Sequence, residues 1–310
     1  MPAPSCASRR PARRRSRCIV PRAARRPFRS PSCRPCSPQS PKESPLSDHE
    51  GVVYTNDEGV ATIRFNRPAT LNALRAVDIL RVGELLREIA VDEGVRVVVL
   101  TGTGRAFTSG EDLNELSAHL DGDEAQPGHE AHLDRFQDLT RLLLSLPQPT
   151  VAAINGVAVG VGAELSLACD IRIAAQSARF GFPEVTRGLL GTNGVFKLLP
   201  RVAGSGPAAY LLLSGEIVDA ATVAGFGILA PVVADEEFPA AVAALTKRLA
   251  SNATLSMRLT KRLLVDEPGL DLEGVLAREA EGMAACLFTP DIREGTTAFL
   301  EDRPAAFGAS

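Results

Sequence analysis

The sequence predicts a mixed α/β fold in which strand-and-helix units come first and a helical tail follows. Three observations lead there. Residues 95–100 form a nearly continuous apolar run, the mark of a strand buried on both faces. Residues 149–170 pass from the β-branched run Thr150–Ile154 through Asn155-Gly156 into an apolar helical pattern, so a strand hands over to a helix. From Gly194 onward the apolar spacing is helical, apart from one short strand over 229–233. No repeat of fixed period is visible. At 310 residues there is room for one large domain or two.

In chain order, residues 1–47 are rich in Pro, Arg and Ser and hold almost no apolar run, which predicts a segment unable to order itself by burial. They lack the apolar stretch of a secretory signal. Their composition is that of an organellar transit peptide, which would place the mature protein in the mitochondrial matrix. Ten prolines spoil the amphipathic helix such peptides need. A translated stretch ahead of the true start fits equally, and the body then reads as cytoplasmic.

Residues 52–55 and 60–65 flank Asn56-Asp57-Glu58-Gly59, a hairpin signal. Asn66-Arg67-Pro68 ends the second strand, and 77–89 carries Leu80, Leu85, Leu86 and Ile89 at roughly helical spacing. The 95–100 strand feeds a loop of small residues that enters a helix near Asp112. Residues 113–146 read as helical with a break at 121–128, where Gly, Pro and acids cluster. After Asp170 comes a strand over 171–174. Residues 179–185 then read as an edge element, because Pro183 cannot donate to a central ladder. The tail reads as helices over 205–214, 219–226, 236–251, 253–266, 270–287 and 290–301. Three parts are therefore expected: a basic head over 1–47, a catalytic core over 48–250 and a helical region over 251–310.

The net charge of −3 hides an asymmetry: residues 1–42 hold eleven arginines and Lys42 without an acid, so +12, and the other 22 basic and 37 acidic residues leave −15. An acidic body is a poor match for nucleic acid. No apolar run approaches the ~20 residues of a membrane span. Cys169 and Cys286 sit in apolar contexts typical of reduced thiols, and the other four cysteines lie in the head. Cys33-Arg-Pro-Cys36 has redox or zinc spacing but no second ligand pair, and the body offers no metal site. The four histidines, 49, 119, 129 and 132, lie near no Gly-x-Ser-x-Gly elbow, and the last three read as solvated surface. Gly156, Gly160 and Gly162 match neither standard phosphate loop.

Those glycines carry the chemistry. At a strand-to-helix junction they let a ligand approach bare backbone. The first amides of a helix lie at the positive end of its dipole and can hold an oxygen that becomes negative. Glu164 follows two residues later. Small-residue packing with a solvated Glu164 is the plainer reading of the same residues.

Further residues carry a resemblance. Asn66-Arg67-Pro68, Leu71-Asn72-Ala73-Leu74, Ser109-Gly110-Glu111-Asp112-Leu113, Asn155-Gly156, Ala168-Cys169-Asp170, Phe182-Pro183-Glu184 and Asp291-Ile292-Arg293-Glu294-Gly295 follow in order over about residues 50–307. In this the chain resembles the enoyl-CoA hydratase/isomerase (crotonase) superfamily. The resemblance implies a spiral of ββα units with a C-terminal helical region that trimerises, often into a hexamer. It implies an acyl-coenzyme A thioester as substrate and no permanently bound cofactor. It assigns the oxyanion hole to the backbone amides of Glu111 and Val161, and the catalytic carboxylates to Glu164 and Glu184, twenty residues apart. Ala73, Leu74, Ser109, Gly110, Asp112 and Leu113 would contact the coenzyme A thioester, joined by Gly160 and by Phe299 near a neighbouring subunit.

The implied activity is hydration of a 2-enoyl-CoA, with double-bond isomerisation as the alternative and a non-catalytic RNA-binding role a more distant one. The sequence departs from the family at Val161, which crowds the oxyanion site, and at Thr192 and Asn193, polar additions expected near the acyl end. It departs again at Asp302, where many members have a lysine near the adenosine phosphates, leaving Arg303 or another base to compensate.

Overall fold

The structure is a computed structural model that describes residues 50–120 and 129–308. The basic head and the expected break at 121–128 lie outside them. Strands β1 (Val52–Asp57) and β2 (Val60–Phe65) pair antiparallel, closing at Asp57↔Val60. Glu58 and Gly59 have φ of 48° and 82°, so a two-residue turn with both centres left-handed joins the strands, the first of them two residues longer than the sequence pattern suggested. Helix α1 (Ala76–Val91) buries Ile79, Val82, Leu85, Leu86 and Ile89 and turns Leu80 outward. Then come β3 (Val97–Gly102), β4 (Ala106–Thr108), α2 (Leu113–Leu120) and α3 (His129–Ser145). The next units are β5 (Thr150–Ile154), β6 (Val157–Val159) and α4 (Val161–Ala168), followed by β7 (Ile171–Ala175) and β8 (Arg179–Gly181).

Each of the pairs β3/β4, β5/β6 and β7/β8 contributes one strand to each of two sheets. With β9 (Ile217–Asp219) and β10 (Val232–Val233) from later in the chain, the larger runs β1-β2-β3-β5-β7-β10 and the smaller β4-β6-β8-β9. Apart from β1/β2 and β8/β9 the pairings are parallel. The chain therefore spirals, stepping from β3 to β4, β5 to β6 and β7 to β8. The 95–100 run is continuous because the large sheet is covered on both faces. Val98, Leu100, Ala152 and Ile154 belong to the core that α1 and α3 share. Val97, Val99, Val151 and Ala153 pack toward Phe238 on the opposite face.

The remaining elements are α5 (Val195–Ala203), α6 (Ser205–Ser214), β9 (Ile217–Asp219), α7 (Ala220–Gly225) and β10 (Val232–Val233). Four helices close the chain: α8 (Phe238–Ala250), α9 (Thr254–Asp266), α10 (Leu272–Leu287) and α11 (Pro290–Leu300). Three short strands, β4, β6 and β9, were not legible in the pattern, nor was α5. One expectation is corrected. β8 is an interior strand, parallel to β6 and antiparallel to β9, because it stops at Gly181 and Pro183 opens a 3-10 turn beyond it.

Helix α9 is fastened to the core by a buried cation. The Lys261 ammonium donates to the carbonyls of Leu143 (3.1 Å) and Gln148 (2.9 Å) and pairs with Asp170 Oδ2 at 2.9 Å. That carboxylate oxygen also accepts from the Thr150 amide and hydroxyl at 2.7 and 2.8 Å. Among the described residues no helix is long and apolar enough to cross a membrane.

Candidate active site

β4, β6 and β8 are adjacent and parallel, so their carboxyl ends open on one edge of the small sheet. β4 delivers Ser109, Gly110 and Glu111; β6 delivers Gly160 and Val161; β8 delivers Pro183 and Glu184. These residues line one cavity of about 310 Å³, together with Leu113, Leu116, His132, Phe136, Glu164 and Thr192. Two glycines permit the approach. Gly110 has φ 91°, and a Cβ there would lie 2.9 Å from the Val159 carbonyl and 3.2 Å from the Val161 amide. Gly160 has φ 56°, and its Cβ would lie 3.1 Å from Glu184 Oε1. Only glycine takes these backbone angles without strain.

The loop before α1 fixes the first of these segments. Asn72, fully buried and left-handed at φ 58°, donates its amide to the carbonyls of Ala106 (2.8 Å) and Thr103 (3.0 Å) and accepts from the Arg67 amide (2.9 Å). Arg67 Nη1 bonds the Ala73 carbonyl and Asp112 Oδ2, at 2.7 and 2.9 Å. The Leu74 amide donates to Gly110 O and the Asp112 amide to Leu74 O. Across the trans peptide from the Gly110 carbonyl, the Glu111 amide points away from Leu74.

Glu164 enters from the first turn of α4 and is 1% exposed. Burial pushes its pKa up, to about 7. A hydrogen bond from Asn193 opposes that rise, the Glu184 charge adds to it, and the Thr192 amide and hydroxyl oppose it. Its Oε1 accepts from the Thr192 amide at 2.7 Å, and its Oε2 from Asn193 Nδ2 at 2.7 Å and the Thr192 hydroxyl at 3.3 Å. Burial also raises Glu184, against its own amide and Arg187. Glu184 Oε2 is buried without a protein partner among the described residues.

Of the residues named from sequence, Ser109, Gly110, Glu111, Leu113, Gly160, Val161, Glu164 and Glu184 meet on this cavity. Ala73, Leu74 and Asp112 are not on its wall. The Asp112 side chain pairs with Arg67 and accepts from the Asn114 amide at the start of α2. Burial works against its carboxylate, but those two donors outweigh it and lower the pKa. Phe299 is 84% exposed and borders a different hollow, with Cys286, Ile292 and Phe307.

One further expectation is revised. His132 is not solvated surface: it lies on α3, half-buried, with Nε2 2.5 Å from Glu111 Oε1 on the cavity wall. Its sequence neighbours are polar, and only the three-dimensional return of α3 reveals the contact. Thr192 and Asn193 bond Glu164, and Thr192 also lines the cavity. Arg303, considered as a phosphate partner, is engaged by Glu294 and Glu301. Among the described residues no cluster of His, Cys, Asp and Glu could hold a metal ion.

Residues 55–310 match the family model described as enoyl-CoA hydratase/isomerase. The chain is 33% identical to a crotonyl-CoA hydratase of Syntrophomonas wolfei, over 84% of this chain and 98% of that one. It is 35% identical to a 1,2-epoxyphenylacetyl-CoA isomerase of Escherichia coli, over 83% and 98%. Among solved structures, an enoyl-CoA hydratase from Bacillus anthracis superposes with a TM-score of 0.79 at 31% identity, covering 84% of this chain and all of that one.

Proposed function

Since the chain belongs to the enoyl-CoA hydratase/isomerase family, we propose that it adds water across the double bond of a 2-enoyl-CoA thioester. The observation that carries this reading is the pair of carboxylates, buried Glu164 and half-buried Glu184, on one cavity beside the strand-end segments of Glu111 and Val161. The thioester oxygen is held by the Glu111 and Val161 amides. Attack of water at Cβ moves the π electrons onto that oxygen as an enolate. Losing one such donor typically costs ~10²–10³ in rate. Glu164, whose bonding partners are all donors, takes the proton that the water loses. Glu184, with an oxygen free of protein donors, gives a proton to Cα as the enolate collapses. The pair holds one proton before and after: Glu184 gives its own to Cα, the water's proton arrives on Glu164, and its passage to Glu184 resets the site.

A second reading, movement of the double bond from position 3 to position 2, needs a single carboxylate that takes a proton at one carbon and returns it at another. The free Glu184 oxygen favours it. Incubation with crotonyl-CoA and with a 3-enoyl-CoA separates the two. Loss of the conjugated thioester absorbance from the first supports hydration. Its appearance from the second, with no loss from the first, assigns isomerisation.

The substrate arrives as a coenzyme A thioester, and no resident cofactor enters the scheme. A homotrimer, or a hexamer of two trimers, is proposed from the apolar residues left exposed on α10 and α11. Leu272, Met283, Phe288 and Phe299 are all more than half exposed, and Phe299 would meet coenzyme A bound to a neighbouring copy.

A further inference from the structure

Residues 188–194 bring two polar side chains to Glu164, and the mechanism above uses neither. Asn193 is 1% exposed, with its backbone in the left-handed region at φ 50° and its carbonyl accepting from the Thr140 hydroxyl of α3 at 3.3 Å. That backbone turn aims the side-chain amide at Glu164 Oε2, while the preceding Thr192 amide takes Oε1. The amide's orientation follows from charge, because an Asn193 oxygen facing a carboxylate would repel it. Asn193 Oδ1 is buried with no protein donor among the described residues. A buried acceptor without a partner works against folding.

We propose that Asn193 is a positioning residue that pins the Glu164 carboxylate against the Thr192 amide and keeps it an acceptor toward the attacking water. The inference rests on the hydratase reading for the water; the grip on Glu164 stands on geometry alone. Two oxygens held by donors from one loop cannot rotate independently, so the carboxylate plane is set before substrate arrives. The donors also favour the charged form against the burial that disfavours it. The other charged and titratable groups on the cavity are Glu184 and Arg187 from the turn after β8, Glu111 from the loop after β4, and His132 from α3. Among them the Glu184 charge acts on Glu164 in the opposite sense to Asn193.

The test uses the full chain and two substitutions that suit a left-handed backbone, Asn193→Gly and Asn193→Asp. The Glu164 carboxyl is titrated without ligand by infrared difference spectroscopy, its band assigned by subtraction of Glu164→Gln. In parallel, kcat/KM for crotonyl-CoA is measured against pH. With Asn193→Gly, the Glu164 titration and the acid limb of kcat/KM should both move up by about one pH unit. KM should stay near wild type, because Asn193 is not on the cavity wall. With Asn193→Asp, a second acid beside Glu164 should move the titration further in the same direction.

A Glu164 titration unchanged in folded Asn193→Gly overturns the proposal, as does a loss of kcat that is equal at every pH. If Asn193→Gly does not fold, the Asp variant decides by the same two curves. Should the wild-type protein hydrate no 2-enoyl-CoA, the hydratase reading fails by itself, and the infrared titration still decides whether Asn193 grips Glu164.

Discussion

Glu164 is an acid held in two opposed environments, buried in an apolar helix yet surrounded by donors. Two measurable consequences follow. Replacing either carboxylate by its amide, Glu164→Gln or Glu184→Gln, should lower kcat by at least ~10² while thioester binding stays near wild type. Full hydration activity in Glu184→Gln would remove the hydratase assignment. The second consequence is a stability that depends on pH. A carboxyl with a folded pKa of about 7 and a free value of 4.5 binds more protons folded than unfolded between those two pH values. Stability therefore falls as pH rises through that window and levels off above it. Glu164→Gln lacks the titration. Denaturant unfolding of both proteins should show the difference in stability shifting toward the variant by about 3 kcal/mol between the two ends of the window. A constant difference would mean that Glu164 titrates normally.

Among the elements, α9 is tied to the core through a buried cation. The Lys261 ammonium meets two carbonyls and one carboxylate oxygen, and the residue is 5% exposed. Lys261→Met keeps the aliphatic stem and leaves those carbonyls bare, although Asp170 retains its two Thr150 donors. Breaking a buried pair from one side costs about 3 kcal/mol. Urea unfolding should report a loss near that size, with activity per folded molecule preserved. A variant as stable as wild type would show that apolar packing alone holds α9. Nothing in the local pattern marks Lys261 as buried, because the carbonyls it bonds come from residues 143 and 148, more than a hundred positions away. Asn72 is similar: its sequence neighbourhood reads as a loop, and its bonds to residues 103 and 106 are visible only once β4 lies beside it.

For the whole molecule, the exposed apolar surface is concentrated late in the chain. Phe288, Phe299 and Leu300 are 90%, 84% and 77% exposed. Isolated exposed apolar side chains are common, but several on consecutive helices mark a face that meets a partner. Light scattering should therefore find a trimer or hexamer. Truncation at Glu267 should yield aggregates or inactive monomers, because α10 and α11 would be removed together. A stable, fully active monomer of the intact chain would refute this.

The sequence by itself determined the order of the longer elements, the double burial of the third strand, and most of the residues that meet on the cavity. These are short-range properties: apolar period, turn chemistry and glycine placement act over a few residues, and motif order adds the rest. The tertiary structure alone decided that β8 is interior, that His132 reaches Glu111, that Lys261 is buried, and that Thr192 and Asn193 close on Glu164. Each of those depends on which distant segment supplies the partner, and a hydrogen bond or ion pair leaves no periodic trace in either segment that makes it.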